Sequence, residues 1–535
     1  MWNILRTCPF GASTCTRYSA LQLPTSTLSA SQEKDAELGL KGFSTKTTLC
    51  AHRMNTRHGQ ENQNTRIFTM RRIRDTGMGM HNLTKFADPA VMKAMLSERL
   101  PLFCPDSVAI TSCHVQHVRY SPKKKPENAS LAACYHLGIR DRDSQREQRV
   151  ILYCKAFRGG HSQREIDTLP QQRAGTQALH SMPLHFRDLD LLMWVFPADP
   201  AIPHLPEVSD PERVTAHLPY SSLPKGLDGP GDVRSVEVQI INYRPELRCT
   251  TRYDLHWGAA DQLQHLTIFG KTFRSGEARD VYARSEYLWN RFSGVDENVL
   301  FAQPLGYTPA VQTLWQLGIE GIPLCCVIGE DNCDAYLKTI AKGLAMVHNS
   351  NLKGLPTWTL GEHLTEVEKK IEKLRRAAPS LVGELNLLAE RIQHDAPNPS
   401  DIPFRPMYWD FHVNQLLDQD GKVAFFDFDE LAIGDPLQDI ANFIVDLHFR
   451  DVRQFLARRM AKSLYDSYRS QVKWEVPIDR VRWHARVQFI NKAYRVYIQQ
   501  SPDVKETVKE IIHMAAQETT LDWIDNARLI EEMSR

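Results

Sequence analysis

One stretch of the chain, from Met407 to Ala441, constrains its fold more than any other. It contains the two apolar runs LLD and VAFFDFD, and the turn sequence DQDG lies between them. Two short apolar runs joined by such a turn predict a β-hairpin. Asp435 followed by Pro436 then predicts the start of a helix. The stretch therefore predicts two paired strands followed by a helix.

Three polar side chains stand at the edges of these predicted strands. Asp410 lies five residues before Gln415, and Asp427 lies twelve residues after Gln415, across the hairpin. A single aspartate in such a place is usually a turn or capping residue. The pattern of three instead brings two oxygen ligands and one free carboxylate to one end of the hairpin. Phosphoryl transfer uses such a set: one carboxylate orients the attacking hydroxyl and accepts its proton, while an amide and a second carboxylate hold Mg²⁺ on the phosphates.

The sequences DFHVNQLL and FFDFDELAIGDPLQDIA resemble the motifs of the aminoglycoside phosphotransferase and choline kinase-like superfamily, which shares the protein-kinase fold. Two positions depart from the family pattern. The family His-Gly pair is Tyr408-Trp409 here, and the metal-binding asparagine is Gln415, as in maltokinase-like members. Asn414 stands one residue earlier and is the alternative ligand. The matching residues are Asp410, His412, Leu417, Asp427, Phe428, Gly434, Asp435, Pro436, Asp439 and Ala441.

This resemblance implies an ATP-dependent phosphotransferase that uses ATP and Mg²⁺. It implies that Asp410 is the catalytic residue and that Gln415 and Asp427 bind the metal. The implied acceptor is the hydroxyl of a small molecule, since sugars, aminoglycosides, choline-like alcohols and homoserine all serve this superfamily. Gln415 favours a sugar by analogy alone.

An internal repeat precedes the hairpin. VILYCKAFRGG resembles LTIFGKTFRSG, and the matched lysines, Lys155 and Lys271, are 116 residues apart (271 − 155). Similar segments flank both copies in the same order, which favours a duplication of one strand-rich unit. No catalytic hairpin follows the first copy before the second begins. We therefore expect the first copy to be non-catalytic and to pack on the second.

The second copy carries the expected nucleotide-binding residues. Lys271 lies inside an apolar strand, and a buried lysine requires an anion. The resemblance implies that Lys271 contacts nucleotide phosphates and is held by Glu286 of the next helix, with Glu277 as an alternative. Arg244 and Arg248 flank a Pro-containing turn where protein kinases have a Gly-rich loop. Arg248 could touch phosphate, but a solvated turn arginine is the favoured interpretation.

The segment TLWQLGIEGIPL resembles the family segment that joins the two lobes. There the backbone binds the adenine edge, and the resemblance places Gln316, Leu317 and Gly318 at that position. The predicted fold class is α+β: a protein-kinase-like two-lobed fold with an antiparallel-sheet N-lobe and a helical C-lobe, preceded by a duplicated N-lobe-like domain and a disordered N-terminal extension. The predicted domains are 1–90 (disordered or mis-started extension), 96–232 (non-catalytic N-lobe-like repeat), 233–325 (kinase N-lobe) and 326–535 (kinase C-lobe with the catalytic hairpin 407–441).

Composition limits the other classes of function. The 535 residues include 65 basic and 64 acidic side chains, so no domain-scale basic surface for nucleic acid is expected. No apolar run approaches the roughly 20 residues of a membrane span. The 11 scattered cysteines suit a reducing compartment. We therefore expect a cytoplasmic protein, with organelle import through the acid-poor first 32 residues as the minor alternative.

Two functions fit these observations. The first is an ATP-dependent small-molecule kinase, and the second is a catalytically impaired pseudokinase that binds nucleotide or regulates a partner. The departures at Tyr408, Trp409 and Gln415 motivate the second. The sequence does not define the oligomeric state.

Overall fold

The computed structural model describes residues 83–99, 108–141, 143–169, 183–259, 262–450, 452–500 and 503–517. The strands are β1 (Val108–Ser121), β2 (Ser130–Asp141), β3 (Glu147–Ala156), β4 (Leu184–Phe186), β5 (Leu191–Val195), β6 (Val233–Arg244), β7 (Arg248–Trp257), β8 (Gln264–Phe273), β9 (Val299–Phe301), β10 (Pro304–Thr308), β11 (Thr313–Leu317), β12 (Ile322–Pro323), β13 (Arg405–Met407), β14 (Leu416–Gln419), β15 (Lys422–Phe425) and β16 (Ala432–Gly434). The helices are α1 (Pro89–Arg99), α2 (His161–Thr168), α3 (Leu205–Ser209), α4 (Pro211–Val214), α5 (Glu277–Phe292), α6 (Cys333–His348), α7 (Leu360–Ala377), α8 (Val382–His394), α9 (Leu437–Leu447), α10 (Gln454–Gln471), α11 (Ile478–Gln499) and α12 (Val504–Gln517). Among these described helices, none combines the length and apolar character that a bilayer span needs.

Most of the predicted N-terminal extension lies outside the described residues, but its last part does not. Residues Leu83–Ala87 form a short 3₁₀ helix, and α1 begins at Pro89. Leu83 and Phe86 are buried against the first sheet, and Tyr135 donates a hydrogen bond to the Phe86 carbonyl oxygen. The prediction of disorder up to residue 90 is therefore wrong for residues 83–90. The apolar side chains of this segment are buried against the first sheet and hold it in place.

The duplication is visible in the order of the strands. The first sheet runs β1-β2-β3-β5-β4, and the second runs β6-β7-β8-β11-β10. When only the strands of each sheet are numbered, both sheets have the order 1-2-3-5-4, and one helix follows the third strand of each, α2 in the first copy and α5 in the second. In β7, buried and half-buried residues alternate along the whole strand, which is the period-2 pattern of a sheet with one face in the core.

The two sheets share one hydrophobic core. Tyr153 and Trp194 of the first sheet stack on each other, with ring centroids 4.9 Å apart. They lie in the same buried cluster as Tyr243, Tyr253 and Trp315 of the second sheet. The first copy therefore packs directly against the N-lobe of the kinase-like part.

The helical lobe supports the hairpin. In α6 the apolar residues predicted to share a face are all buried: Leu337, Ile340, Leu344 and Val347. Strands β14 and β15 pair in antiparallel register from Leu416↔Phe425 to Gln419↔Lys422. Asp420 and Gly421 form the turn with φ of 53° and 82°, the left-handed conformation that Asp and Gly adopt most readily. At the far end, Leu437 N donates to Asp435 Oδ1 over 3.1 Å, which fixes the start of α9.

Candidate active site

Lys271 on β8 meets two carboxylates from the end of the hairpin. Its Nζ lies 2.7 Å from Asp427 Oδ1 and 2.8 Å from Asp429 Oδ2. Asp429 is only 5% exposed, and Lys271 is mostly buried as well. Burial of an ammonium group is tolerated when anions face it. The strand lysine and the hairpin carboxylate, 156 residues apart in the chain, thus lie in direct contact.

Two arginines complete a cationic surface around these carboxylates. Arg248 Nη1 lies 2.6 Å from Asp429 Oδ2, and Arg284 of α5 donates to the Asp429 carbonyl oxygen over 3.1 Å. The Arg248 side chain is only 16% exposed, so the interpretation of a solvated turn arginine is wrong. The packing of the β6–β7 turn over the hairpin end turns this side chain inward.

The cations keep Asp427 ionised. Burial raises the pKa of Asp427, but the positive charges of Lys271 and Arg248 outweigh burial and hold that pKa well below its usual range. Asp427 also has a φ of 67°, in the left-handed region that few non-glycine residues adopt. Such a conformation is often associated with functional sites.

The expected contact between Lys271 and Glu286 is not formed. Glu286 is exposed on α5 and accepts a hydrogen bond from the Tyr282 hydroxyl over 2.5 Å. Lys271 Nζ instead donates its hydrogen bonds to the carboxylates of Asp427 and Asp429 at the hairpin end.

The segment between the lobes also differs from expectation. Leu317 N donates to Gln303 O over 2.9 Å, and Gly318 N donates to Thr267 O over 2.9 Å. These two N–H groups are therefore not free for an adenine edge. A Cβ on Gly318 would lie 2.8 Å from Thr267 O, so only glycine allows this approach of the two backbones. Gln316 is half-buried at the end of β11, next to Leu317.

Asp410 lies at the loop before the hairpin and contacts a residue that the sequence interpretation missed. Arg495 of α11 donates from Nη2 to Asp410 Oδ1 over 3.1 Å. The negative charge of Asp410 raises the pKa of Arg495, with burial acting in the opposite direction. His412 Nε2 lies 4.0 Å from the other Asp410 oxygen. Nothing in the sequence near Arg495 indicates this contact, since the partner lies 85 residues away.

A buried carboxylate holds the Asp410 loop in place. Asp439 of α9 accepts hydrogen bonds from Tyr408 N over 2.6 Å and from Trp409 N over 2.9 Å, and it lies 3.0 Å from His348 Nε2. These contacts fix the backbone directly before Asp410. Trp409, at φ 74°, stacks on Trp358 with ring centroids 4.5 Å apart.

Phe426 N donates to Gln415 O over 3.2 Å, which places the backbone of Gln415 next to the residue that precedes Asp427. Gln415 is buried, and its Oε1 accepts a hydrogen bond from His412 N over 3.3 Å. In the described part of the chain, the neighbouring Asn414 Oδ1 is buried and has no hydrogen-bond partner. Carboxylate and amide oxygens are the donors that Mg²⁺ takes. The unpartnered oxygen makes Asn414 at least as suitable a ligand as Gln415.

The first copy holds the β6–β7 turn, which Arg244 and Arg248 flank. Asp199 accepts hydrogen bonds from Tyr243 Oη over 2.7 Å and from Glu246 N over 2.9 Å. Lys155 Nζ lies 2.7 Å from Glu246 Oε1 and 2.7 Å from Glu165 Oε1. The lysine of the first copy thus bridges a glutamate of its own helix α2 and a glutamate of the β6–β7 turn.

The architecture and this site define a two-lobed protein of the protein-kinase-like class. Residues 315–473 match the family model described as phosphotransferase enzyme family. The chain is 32% identical over 137 residues to the Protein LicA homolog of Metamycoplasma hominis, a match that covers 25% of this chain and 49% of that protein. The chain thus spans about half the length of this curated relative.

Three solved structures align with about half of the chain, each with a TM-score below 0.5. One is a thermostable mutant of aminoglycoside phosphotransferase APH(4)-Ia in its apo form, with 13% identity, coverage of 53% of this chain and 95% of that chain, and a TM-score of 0.40. Another is the amicoumacin kinase hAmiN in complex with AMP-PNP, Ca²⁺ and Ami, with 12% identity, coverage of 53% and 89%, and a TM-score of 0.38. A third is a choline/ethanolamine kinase family protein from Mesorhizobium loti, with 12% identity, coverage of 54% and 92%, and a TM-score of 0.35.

Proposed function

We propose that this protein is an ATP-dependent phosphotransferase that transfers the γ-phosphate to a hydroxyl group of a small metabolite. The observation that carries the proposal is the contact of Lys271 with Asp427 and Asp429, beside a loop that presents Asp410. The match of residues 315–473 to the phosphotransferase enzyme family model supports it. ATP is the proposed phosphate donor, and a cytoplasmic location remains part of the proposal.

Each residue takes a defined part in the transfer. Lys271, with Arg244 and Arg248 of the β6–β7 turn, would bind the nucleotide phosphates. Asp410 would orient the acceptor hydroxyl and take its proton while the hydroxyl oxygen bonds to the γ-phosphorus. The bond from that phosphorus to the β–γ bridging oxygen breaks, and its electron pair leaves with ADP. Positioning and electrostatic stabilisation supply most of the acceleration in such a reaction.

The metal would be held by Asp427 together with Asn414 or Gln415. A divalent cation held by these residues would supply positive charge to the nucleotide phosphates. Asp427 contacts Lys271 over 2.7 Å, so nucleotide phosphates bound at this site would lie next to both side chains. Because cations keep Asp427 ionised, this carboxylate can serve as a ligand at neutral pH.

The test compares two aspartates on the same hairpin unit. Asp410→Asn should reduce ATP-dependent phosphorylation by about 10²–10⁴-fold, the usual contribution of a positioned base, while Mg·ATP still binds. Asp420→Asn, in the exposed turn, is the matched control and should retain wild-type turnover. ADP release is measured against a panel of hydroxylated metabolites, and Mg²⁺-dependent thermal shift with ATP is measured alongside. Equal turnover in both variants would remove Asp410 from the mechanism, and nucleotide binding without Mg²⁺ dependence or turnover would favour a binding module.

A further inference from the structure

Helices α7 and α11 meet beside Asp410 and present a set of cations that the proposed chemistry does not use. Asn491, Tyr494 and Arg495 are spaced i, i+3 and i+4, so they share one face of α11. Arg495 on this face contacts Asp410 over 3.1 Å. The facing surface of α7 therefore lies next to the proposed acceptor hydroxyl.

Two lysines of α7 reach this face. Lys370 Nζ donates to Asn491 Oδ1 over 2.7 Å, and Lys373 Nζ donates to Tyr494 Oη over 3.2 Å. Lys373 also lies over the Tyr494 ring, 4.9 Å from its centroid. Both lysines thus have neutral partners, and neither forms an ion pair with a carboxylate in the described ranges of the chain.

The carboxylates of Asp410, Asp446 and Glu430 offset the charge of Arg495, so within the described residues the positive charge without an ion-pair partner lies on Lys370 and Lys373. Glu366, the acid nearest to Lys370 on α7, pairs with Lys369 over 2.5 Å. Burial lowers the pKa of Lys370 to about 8, and the nearby charges of Arg495 and Lys373 act in the same direction. A half-buried ammonium group held only by neutral oxygens is stabilised when an anion binds to it.

The first copy also contacts helix α11. Its strand β1 packs against α11, where the ring of Tyr120 makes an edge-to-face contact with Tyr497, with centroids 5.8 Å apart. Tyr497 lies one turn along α11 from Tyr494, and their ring centroids are 6.3 Å apart. Tyr494 therefore lies between Lys373 of α7 and the aromatic contact that α11 makes with the first copy.

We propose that the acceptor is a hydroxylated metabolite that carries a negatively charged group, which Arg495, Lys370 and Lys373 bind beside Asp410. This inference rests on the proposed function and names the substrate class of the same site. The arrangement disfavours aminoglycosides and choline-like alcohols, because these acceptors are cations and would meet the ammonium groups of Lys370 and Lys373. The guanidinium of Arg495 has five N–H donors, so it can bind the acceptor anion and Asp410 together. Binding in this way would orient the acceptor hydroxyl towards the γ-phosphate.

The first experiment uses inorganic sulfate as the probe. Full-length protein is saturated with Mg·AMP-PNP, which fills the nucleotide site, and sulfate is titrated by calorimetry at pH 7. We expect saturable binding that weakens at least ten-fold in the double variant Lys370→Gln, Lys373→Gln. The control Lys338→Gln removes one positive charge from an exposed position of α6 and should bind sulfate within two-fold of wild type. Absence of saturable sulfate binding, or equal binding in the double variant and the control, would overturn the proposal.

The second experiment compares acceptors of one shape and different charge. ATP consumption is measured with D-glucose, D-glucosamine and D-glucuronate, and with glycerol and glycerate. Turnover with the carboxylate members alone supports the proposal. Turnover with neutral or cationic members but not with the anionic ones overturns it, while the phosphotransferase function stands. If none of the five reacts, the sulfate titration decides. Failure of Mg·AMP-PNP to bind at all would instead contradict the proposed function.

Discussion

The lysine of the first copy offers a sharp test of how the two copies divide their roles. Lys155 occupies the position equivalent to Lys271, but its partners are Glu165 of α2 and Glu246 of the β6–β7 turn, each at 2.7 Å. That turn carries Arg244 and Arg248, which the proposed function places on the nucleotide phosphates. We expect Lys155→Met to loosen the turn and to weaken nucleotide binding without touching the nucleotide.

The magnitude follows from the exposure of the two glutamates. Glu165 is 37% exposed, so its pair with Lys155 resembles a surface ion pair, worth about 0–1 kcal/mol. Glu246 is 26% exposed and would lose its cation inside the interface between the copies. We expect this loss to cost about 1–2 kcal/mol of stability, less than the cost of breaking a fully buried ion pair. If most of the second figure reaches the turn, the dissociation constant for Mg·AMP-PNP should rise about 5- to 10-fold.

The assay is calorimetric titration of Mg·AMP-PNP, with urea denaturation to measure the accompanying loss of stability. Glu165→Gln removes the other arm of the same lysine and is the matched control, since it does not touch the turn. Lys155→Arg keeps the charge and should recover part of the affinity. The reasoning is refuted if Lys155→Met binds nucleotide as wild type does, or if Glu165→Gln weakens binding as much as Lys155→Met.

Three further substitutions probe the site and its surroundings. Lys271→Met should lower turnover by about 10²–10³-fold, the usual cost of losing one preorganised donor, and steady-state kinetics showing less than a five-fold loss would contradict its role. Asp439→Asn should cost about 2–3 kcal/mol in urea denaturation, because the buried carboxylate holds Tyr408 N and Trp409 N, and kcat should fall as Asp410 loses its position. A loss under 0.5 kcal/mol, taken as roughly the scatter of surface substitutions, would be inconsistent with this. The pKa of Lys370, which faces Glu366, Lys373 and Arg495, is about 8 in the folded state. The unfolded chain therefore binds more protons than the folded protein between about pH 8 and pH 10, and the free energy of unfolding should rise over this range. Thermal denaturation of Lys370→Gln should show a rise smaller by on the order of 2 kcal/mol, while Lys492, whose pKa burial also lowers to about 8, still contributes. An unchanged pH profile in that variant would exclude Lys370 as a source of the rise.

The acid limit of stability should reflect the hairpin carboxylates. The pKa of Asp427 is depressed in the folded state, so its interaction with Lys271 and Arg248 contributes stability above the unfolded pKa of about 4. That contribution is lost as the pH falls through the folded pKa. Lys271→Met should therefore reduce the loss of stability that acidification causes, and chemical denaturation between pH 3 and pH 7 measures it. An identical acid profile in wild type and variant would show that Lys271 does not set this pKa.

The local sequence by itself determined the elements that carry the site. The turn DQDG between two apolar runs specified the hairpin, and its Asp420 and Gly421 adopt the left-handed conformations that such a turn requires. The helical spacing of apolar residues specified the buried face of α6. The matched strand lysines specified a duplication, which the strand order of the two sheets repeats. These features depend on interactions between residues that are close in the chain.

Tertiary structure alone decided which side chains meet. Lys271 had Glu277, Glu286, Asp427 and Asp429 available, and only the packing of the hairpin end under β8 selects the two aspartates. Arg495 reaches Asp410 across 85 residues, and Asp199 reaches the β6–β7 turn across 47. Neither contact leaves a periodic or spacing signal in the sequence, because a charged side chain finds its partner through the placement of whole elements. The local sequence therefore determines which reactive side chains the hairpin carries. The cations around them come together only when the two copies and the helical lobe pack against each other.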